Sequence, residues 1–128
     1  MSARPRRRGG AALATVIAVT ACATAPLSLD QPVVASAVPV PPWESRDICV
    51  HLADGDRLEY TFEATEAVAF EIRYREGGAV IAPVVRDPTL ADAGVFLARL
   101  PRDYCLVWEA TAAGALIDYR LRRRPATR

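Results

Sequence analysis

Residues 58–75 read Leu-Glu-Tyr-Thr-Phe-Glu-Ala-Thr-Glu-Ala-Val-Ala-Phe-Glu-Ile-Arg-Tyr-Arg, and this stretch decides the fold class. Leu58, Tyr60 and Phe62 alternate with Glu59, Thr61 and Glu63. Val68, Phe70, Ile72 and Tyr74 alternate with Ala69, Glu71, Arg73 and Arg75. A period of two sends one set of side chains into a core and the other into water, which describes half-buried strands. Thr65-Glu66 reads as a turn between the two runs.

The same period continues outward. Upstream, Ile48, Val50 and Leu52 alternate with Cys49 and His51. Downstream, Val80 to Val85 is more continuously apolar, with Pro83 pushing it toward a sheet edge. Val95 to Ala98, Tyr104 to Glu109 and Ala115 to Leu121 follow, which makes about seven short strands. Asp54-Gly55-Asp56, Glu76-Gly77-Gly78, Asp87-Pro88 through Gly94, Pro101-Arg102 and Ala113-Gly114 are the remaining turn signals. No segment has a helical stripe. The spacing predicts an all-β, antiparallel sandwich of jelly-roll type over residues 47–123.

Where neighbouring strands form hairpins, core-facing residues must oppose core-facing residues. Three-residue loops at 54–56 and 76–78 then pair Leu52 with Leu58 and Tyr74 with Val80. A four-residue loop at 111–114 pairs Trp108 with Ile117. Strands that cross between sheets would cancel these pairings and keep the inward and outward parity.

Ahead of the domain, Arg4, Arg6, Arg7 and Arg8 precede an apolar run, Ala11 to Val19. That run suits an export signal and is too short for a bilayer span of about 20 residues. Val19-Thr20-Ala21-Cys22 resembles the lipobox of bacterial lipoproteins. The resemblance implies a signal peptide over 1–21, acylation of Cys22, and anchorage to a membrane outside the cytoplasm. In a cell with two membranes that means the outer membrane or periplasm. Ordinary cleavage after Ala21-Cys22-Ala23 is the alternative, and would release a secreted periplasmic protein. Residues 22–46 carry Pro26, Pro32, Pro39, Pro41 and Pro42. They are expected to form an extended tether reaching roughly 70 Å, with Trp43 packed on the edge of the domain. Residues 124–128 are read as a basic tail.

Either cleavage reading leaves Cys49 and Cys105 as an even pair in an oxidising compartment, which is read as a disulfide. It would close a loop of 57 residues, worth roughly 4 kcal/mol in the chain-entropy model. Both cysteines have the opposite parity from their core-facing neighbours. The bridge is therefore expected off the core face, joining the first strand to the Tyr104–Glu109 strand.

Between Cys22 and Tyr119 there are 7 arginines against 15 acidic residues, a net charge of −8. That balance excludes a nucleic-acid binder. Arg120, Arg122, Arg123 and Arg124 concentrate positive charge at the end of the last strand. They read either as a contact for anionic lipid headgroups or envelope polymers, or as a frayed solvated end. From Arg46 onward there is no Ser, Lys, Asn or Gln. Ser-His-Asp hydrolysis and lysine Schiff-base chemistry therefore have no parts. His51 with Asp54 and Asp56 is too sparse for a metal site. Glu59 is expected to face Arg73 across strands rather than to pair with Glu63 as an acid–base couple. No catalytic residue, cofactor or metal ligand is expected.

A cysteine in the first strand, the approach containing Gly94, and a second cysteine in Asp103-Tyr104-Cys105-Leu106-Val107-Trp108 together resemble a GOLD domain. That is the lumenal β-sandwich of eukaryotic cargo receptors, and the likeness covers roughly residues 47–121. The chain departs from it at Glu109-Ala110, where that family usually has an asparagine, and in having no coiled coil or membrane-spanning helix. The pattern is equally similar to the pre-peptidase C-terminal domains of secreted bacterial proteins. The GOLD resemblance implies protein–protein interaction rather than catalysis. The expectation is a lipid-anchored, non-enzymatic envelope module with an unknown protein partner. The alternative is a small inhibitor of a hydrolase such as lysozyme.

Overall fold

In the computed structural model, which describes residues 9–16, 26 and 29–127, one curled antiparallel sheet folds over into two layers. Its strands are β1 (Val33–Val40), β2 (Ser45–Leu52), β3 (Arg57–Glu76), β4 (Ala79–Leu97), β5 (Arg102–Ala110) and β6 (Ala115–Arg124). The order is β1-β6-β3-β5-β2, with β4 on the other side of β3. The first half of β3 lies between β6 and the second half of β4. Its second half lies between β5 and the first half of β4. The β3–β4 hairpin therefore belongs to both layers of an all-β sandwich.

The alternation read from residues 58–75 now has its physical outcome. Leu58, Tyr60, Phe62, Val68, Phe70 and Ile72 are all buried. They meet Trp108 of β5 and Tyr119 of β6, with Phe62 edge-on to Trp108 at 5.9 Å and Trp108 stacked on Tyr119 at 5.0 Å. These rings come from opposite layers, so the core is the space between the two halves. Tyr104 donates its hydroxyl to the Leu100 carbonyl at 2.7 Å, pinning the 98–101 connection by the tyrosine-corner device of β-sandwiches.

The structure differs from the sequence reading in four places. First, there are six strands among the described residues: the runs 58–63 and 68–75 are one strand and so are 80–85 and 95–98, which leaves five of the seven, and β1 is a sixth. Register shifts between Glu63 and Val68 and between Val68 and Phe70 let β3 bend from one layer into the other instead of stopping. Second, the loops at 54–56 and 111–114 are crossovers. β2 pairs with β5 and β6 with β1 and β3, so the Leu52–Leu58 and Trp108–Ile117 pairings do not occur, while all four residues are buried.

Third, the β3–β4 turn is the two-residue Gly77-Gly78, with φ of 56° and 83° and Glu76 opposite Ala79. The left-handed backbone needed there is open to glycine. A register shift between Ile72 and Tyr74 then sets Ile72 opposite the partly buried Val84 and Tyr74 opposite Ile81, and leaves both Ile81 and Val80, the expected core-facing partner of Tyr74, exposed. Fourth, part of the proline-rich stretch read as tether is β1, and Leu29 ahead of it is in the core. β1 is an edge strand, bonded only to β6, and an edge tolerates Pro39 because one side of it needs no donor. A shift between Ala35 and Val38 leaves Ala37 at φ 53°, its N–H donated to Asp118 Oδ1 at 2.7 Å. Trp43 does not pack on the edge; it is 73% exposed. At the far end β6 runs to Arg124, into the segment read as tail.

Candidate functional site

Cys49 and Cys105 sit directly opposite each other on β2 and β5 and are disulfide-bonded. Asp47 lies near both sulfurs, but a disulfide has no thiolate to offer a metal. His51 Nδ1 is 2.8 Å from Asp103 Oδ1, on a half-exposed face. Asp54 and Asp56 do not join it. Asp56 instead is 3% exposed and accepts hydrogen bonds from the amides of Ala53 (2.9 Å) and Ala126 (3.0 Å). Arg123 stands 3.5 Å away as its counter-charge. The Glu59–Arg73 pair is not formed, because the two residues lie on the same strand. Glu59 accepts from Arg124 Nε at 2.9 Å, and Arg73 leans toward Glu71.

Two clefts flank the β3–β4 hairpin. One, of about 390 Å³, lies on the outer face above the disulfide, lined by Asp47, Arg73, Arg75, Arg102 and Asp103. The other, of about 320 Å³, opens between the layers and is lined by Tyr74, Pro83, Phe96, Leu100 and Tyr104. Tyr74 and Phe96 both meet Tyr104 edge-on, at 5.3 and 5.1 Å. Tyr74 borders both clefts, so a mixed-charge surface passes into an aromatic one.

Between them runs the edge of β4. This 19-residue strand pairs with β3 alone, so among the described residues its other side is an open row of backbone donors and acceptors. Val80, Ile81, Val85, Leu90 and Val95 are exposed along it. Long edges with exposed apolar side chains invite another strand to pair, and proteins ordinarily blunt them. Pro83 and Pro88 do so here for the first half, since each removes a donor. Residues 89–97 have no proline and remain free to pair. Where β4 passes between the layers, Asp92 receives the Tyr60 hydroxyl at 3.2 Å and faces Arg86 Nε at 3.3 Å. Burial first, and the Asp92 charge second, hold the Tyr60 pKa above 10.0.

No protein-family model matches the sequence, and no curated protein matches it. Among solved structures the chain is similar to the pre-peptidase C-terminal domain of a collagenase from Bacillus anthracis. The TM-score is 0.52 at 11% identity, covering 77% of this chain and 91% of that one. The fold is similar to that of a pre-peptidase C-terminal domain. A likeness at this identity carries the architecture and no activity.

The arginines singled out in the sequence divide by strand parity. Arg120, Arg122 and Arg124 point outward from β6, whereas Arg123 turns toward Asp56 and Asp30. Cys22 lies outside the described residues. The β4 edge was missed as a site because edge status depends on which strands pair. Its only sequence signal was Pro83.

Proposed function

We propose that this chain is a lipid-anchored, non-enzymatic envelope protein whose sandwich binds another protein along β4. The observation that carries the reading is the unpaired β4 edge with exposed Leu90 and Val95 on its proline-free half. Main-chain pairing supplies affinity in such contacts, and alternate side chains supply selectivity. The lipobox-like Val19-Thr20-Ala21-Cys22 supports the anchoring half of the proposal. Edge binding is favoured over hydrolase inhibition because no connection between strands exceeds four residues. An inserting inhibitory loop has nothing to be built from among the described residues.

The test is a photo-crosslinking residue at Leu90 or Val95 in intact cells, compared with one at Ser45 on the opposite edge. A discrete protein adduct is expected from the β4 positions alone. With the probe at Leu90, Val95→Lys should abolish the adduct, and with the probe at Val95, Leu90→Lys should do so, each changing stability by no more than about 0.5 kcal/mol at an exposed site. Adducts that survive the neighbouring lysine, or that form equally at Ser45, would overturn the assignment. Intact mass of membrane-extracted protein checks acylation of Cys22 separately.

A further inference from the structure

The outer face of the β1-β6-β3-β4 layer carries a ladder of arginines. Cross-strand register places Arg57 opposite Arg124, Glu59 opposite Arg122, and Thr61 opposite Arg120. All six residues have the outward parity of their strands, and the three β6 arginines are exposed. The patch therefore holds four arginines and one carboxylate. Among the described residues only Arg124 of the four has a carboxylate within ion-pair distance, Glu59 at 2.9 Å. Like charges directly opposite on a sheet disfavour it, and Glu59 offsets the Arg57–Arg124 repulsion through Arg124 alone. Exposed Val95 and Val34 border the ladder, opposite Glu59 and Arg120 respectively. The far end of the same face is acidic, where Glu63 lies opposite Asp118.

We infer that this basic end lies against an anionic lipid surface. Two observations choose a bilayer over other polyanions. First, the chain enters the fold at this end: Val33 pairs with Leu121, Asp30 accepts from Arg123 at 2.9 Å, and Leu29 is already buried. Cys22 is seven residues before Leu29, so fully extended chain puts its Cα at most roughly 25 Å from the core. An acyl chain on Cys22 would hold the arginines beside the headgroups rather than on a long leash. Second, residues 29–127 contain 11 arginines and 15 acidic residues, a net −4. A body with that charge approaches an anionic surface favourably only through its basic end, and the acidic end of the same face then points away. The inference deepens the anchoring reading, and its test is made independent of acylation.

Among the described residues all six strands and the core cluster lie within 29–127, so the chain from residue 22 onward includes every described element of the fold. With Cys22→Ser it cannot be acylated at that position. This protein is mixed with phosphatidylcholine vesicles with and without phosphatidylglycerol, and the bound fraction is measured by flotation. Binding is expected to the phosphatidylglycerol vesicles alone and to weaken with added salt. Arg120→Gln and Arg122→Gln should each reduce it about fivefold, whereas Arg75→Gln on the opposite layer should leave it unchanged. Equal binding to both vesicle types, or an equal loss with Arg75→Gln, would overturn the inference. So would binding to soluble dextran sulfate with none to vesicles, which would assign the face to an envelope polymer. Failure of acylation in the intact-mass measurement would remove the anchor without touching this result.

Discussion

Gly94 and Tyr60 are opposite residues on β4 and β3, and the tyrosine ring lies over the glycine. A Cβ at Gly94 would stand 2.7 Å from the Tyr60 hydroxyl oxygen and 2.9 Å from its ring carbon Cζ. The ring cannot swing aside, because it is buried and packs against Phe70 at 5.1 Å. Gly94→Ala should therefore destabilise the protein by about 1–3 kcal/mol, the range for overpacking a filled site, read as a lower urea midpoint. Tyr60→Phe with Gly94→Ala should not rescue it, since the ring clash remains. The sequence marked Gly94 only as part of a turn-bearing stretch, because its reason for being glycine is a side chain 34 positions away in the chain. Asp56 is similar. Asp-Gly-Asp announced a turn, but nothing local announced that its second aspartate would be buried, accepting from Ala126 and facing Arg123.

At the scale of elements, β2 shows what the disulfide does. It is an edge strand paired only with β5, and Cys49–Cys105 staples it there in the middle of the register. Replacing both cysteines with alanine should cost about 4 kcal/mol in the chain-entropy model. The first structural consequence should be loss of amide-exchange protection across residues 45–52, before the β3–β4 hairpin is affected. Protection lost uniformly over all six strands would show that the staple acts on the whole sandwich instead. The pairing was legible because only two cysteines remain once Cys22 is assigned, and their parity excluded the core. β1 was illegible for the opposite reason. Proline density argues against a central strand, and only the pairing with β6 turns Val33–Val40 into an edge strand.

For the whole molecule, the two layers are joined by rings, and three tyrosines among or beside them resist ionisation. Tyr60, Tyr104 and Tyr119 all have pKa values raised above 10.0, chiefly by burial. A raised pKa on an acid means the folded state keeps its proton longer than the unfolded chain. The associated stability is whole below pH 10 and declines as pH rises through the folded values. Thermal melts should therefore show a midpoint that falls above about pH 10. Tyr119→Phe should make that fall shallower. A midpoint still rising in that window would contradict the sign.

Alternation of side chains determined, from the sequence alone, that the chain is all-β and which faces of β2, β3, β5 and β6 are wet. Cysteine count and parity determined the disulfide. These are local properties, written in a period of two and in a short list of side chains. Only the tertiary structure decided that four predicted strands are two long ones, that β4 is an open edge, and that Arg57 joins Arg120, Arg122 and Arg124 on one face. Strand pairing is a long-range choice made by how the two layers bury their aromatic residues together. An edge, or a ladder of charge built across two strands, exists only once that choice is made.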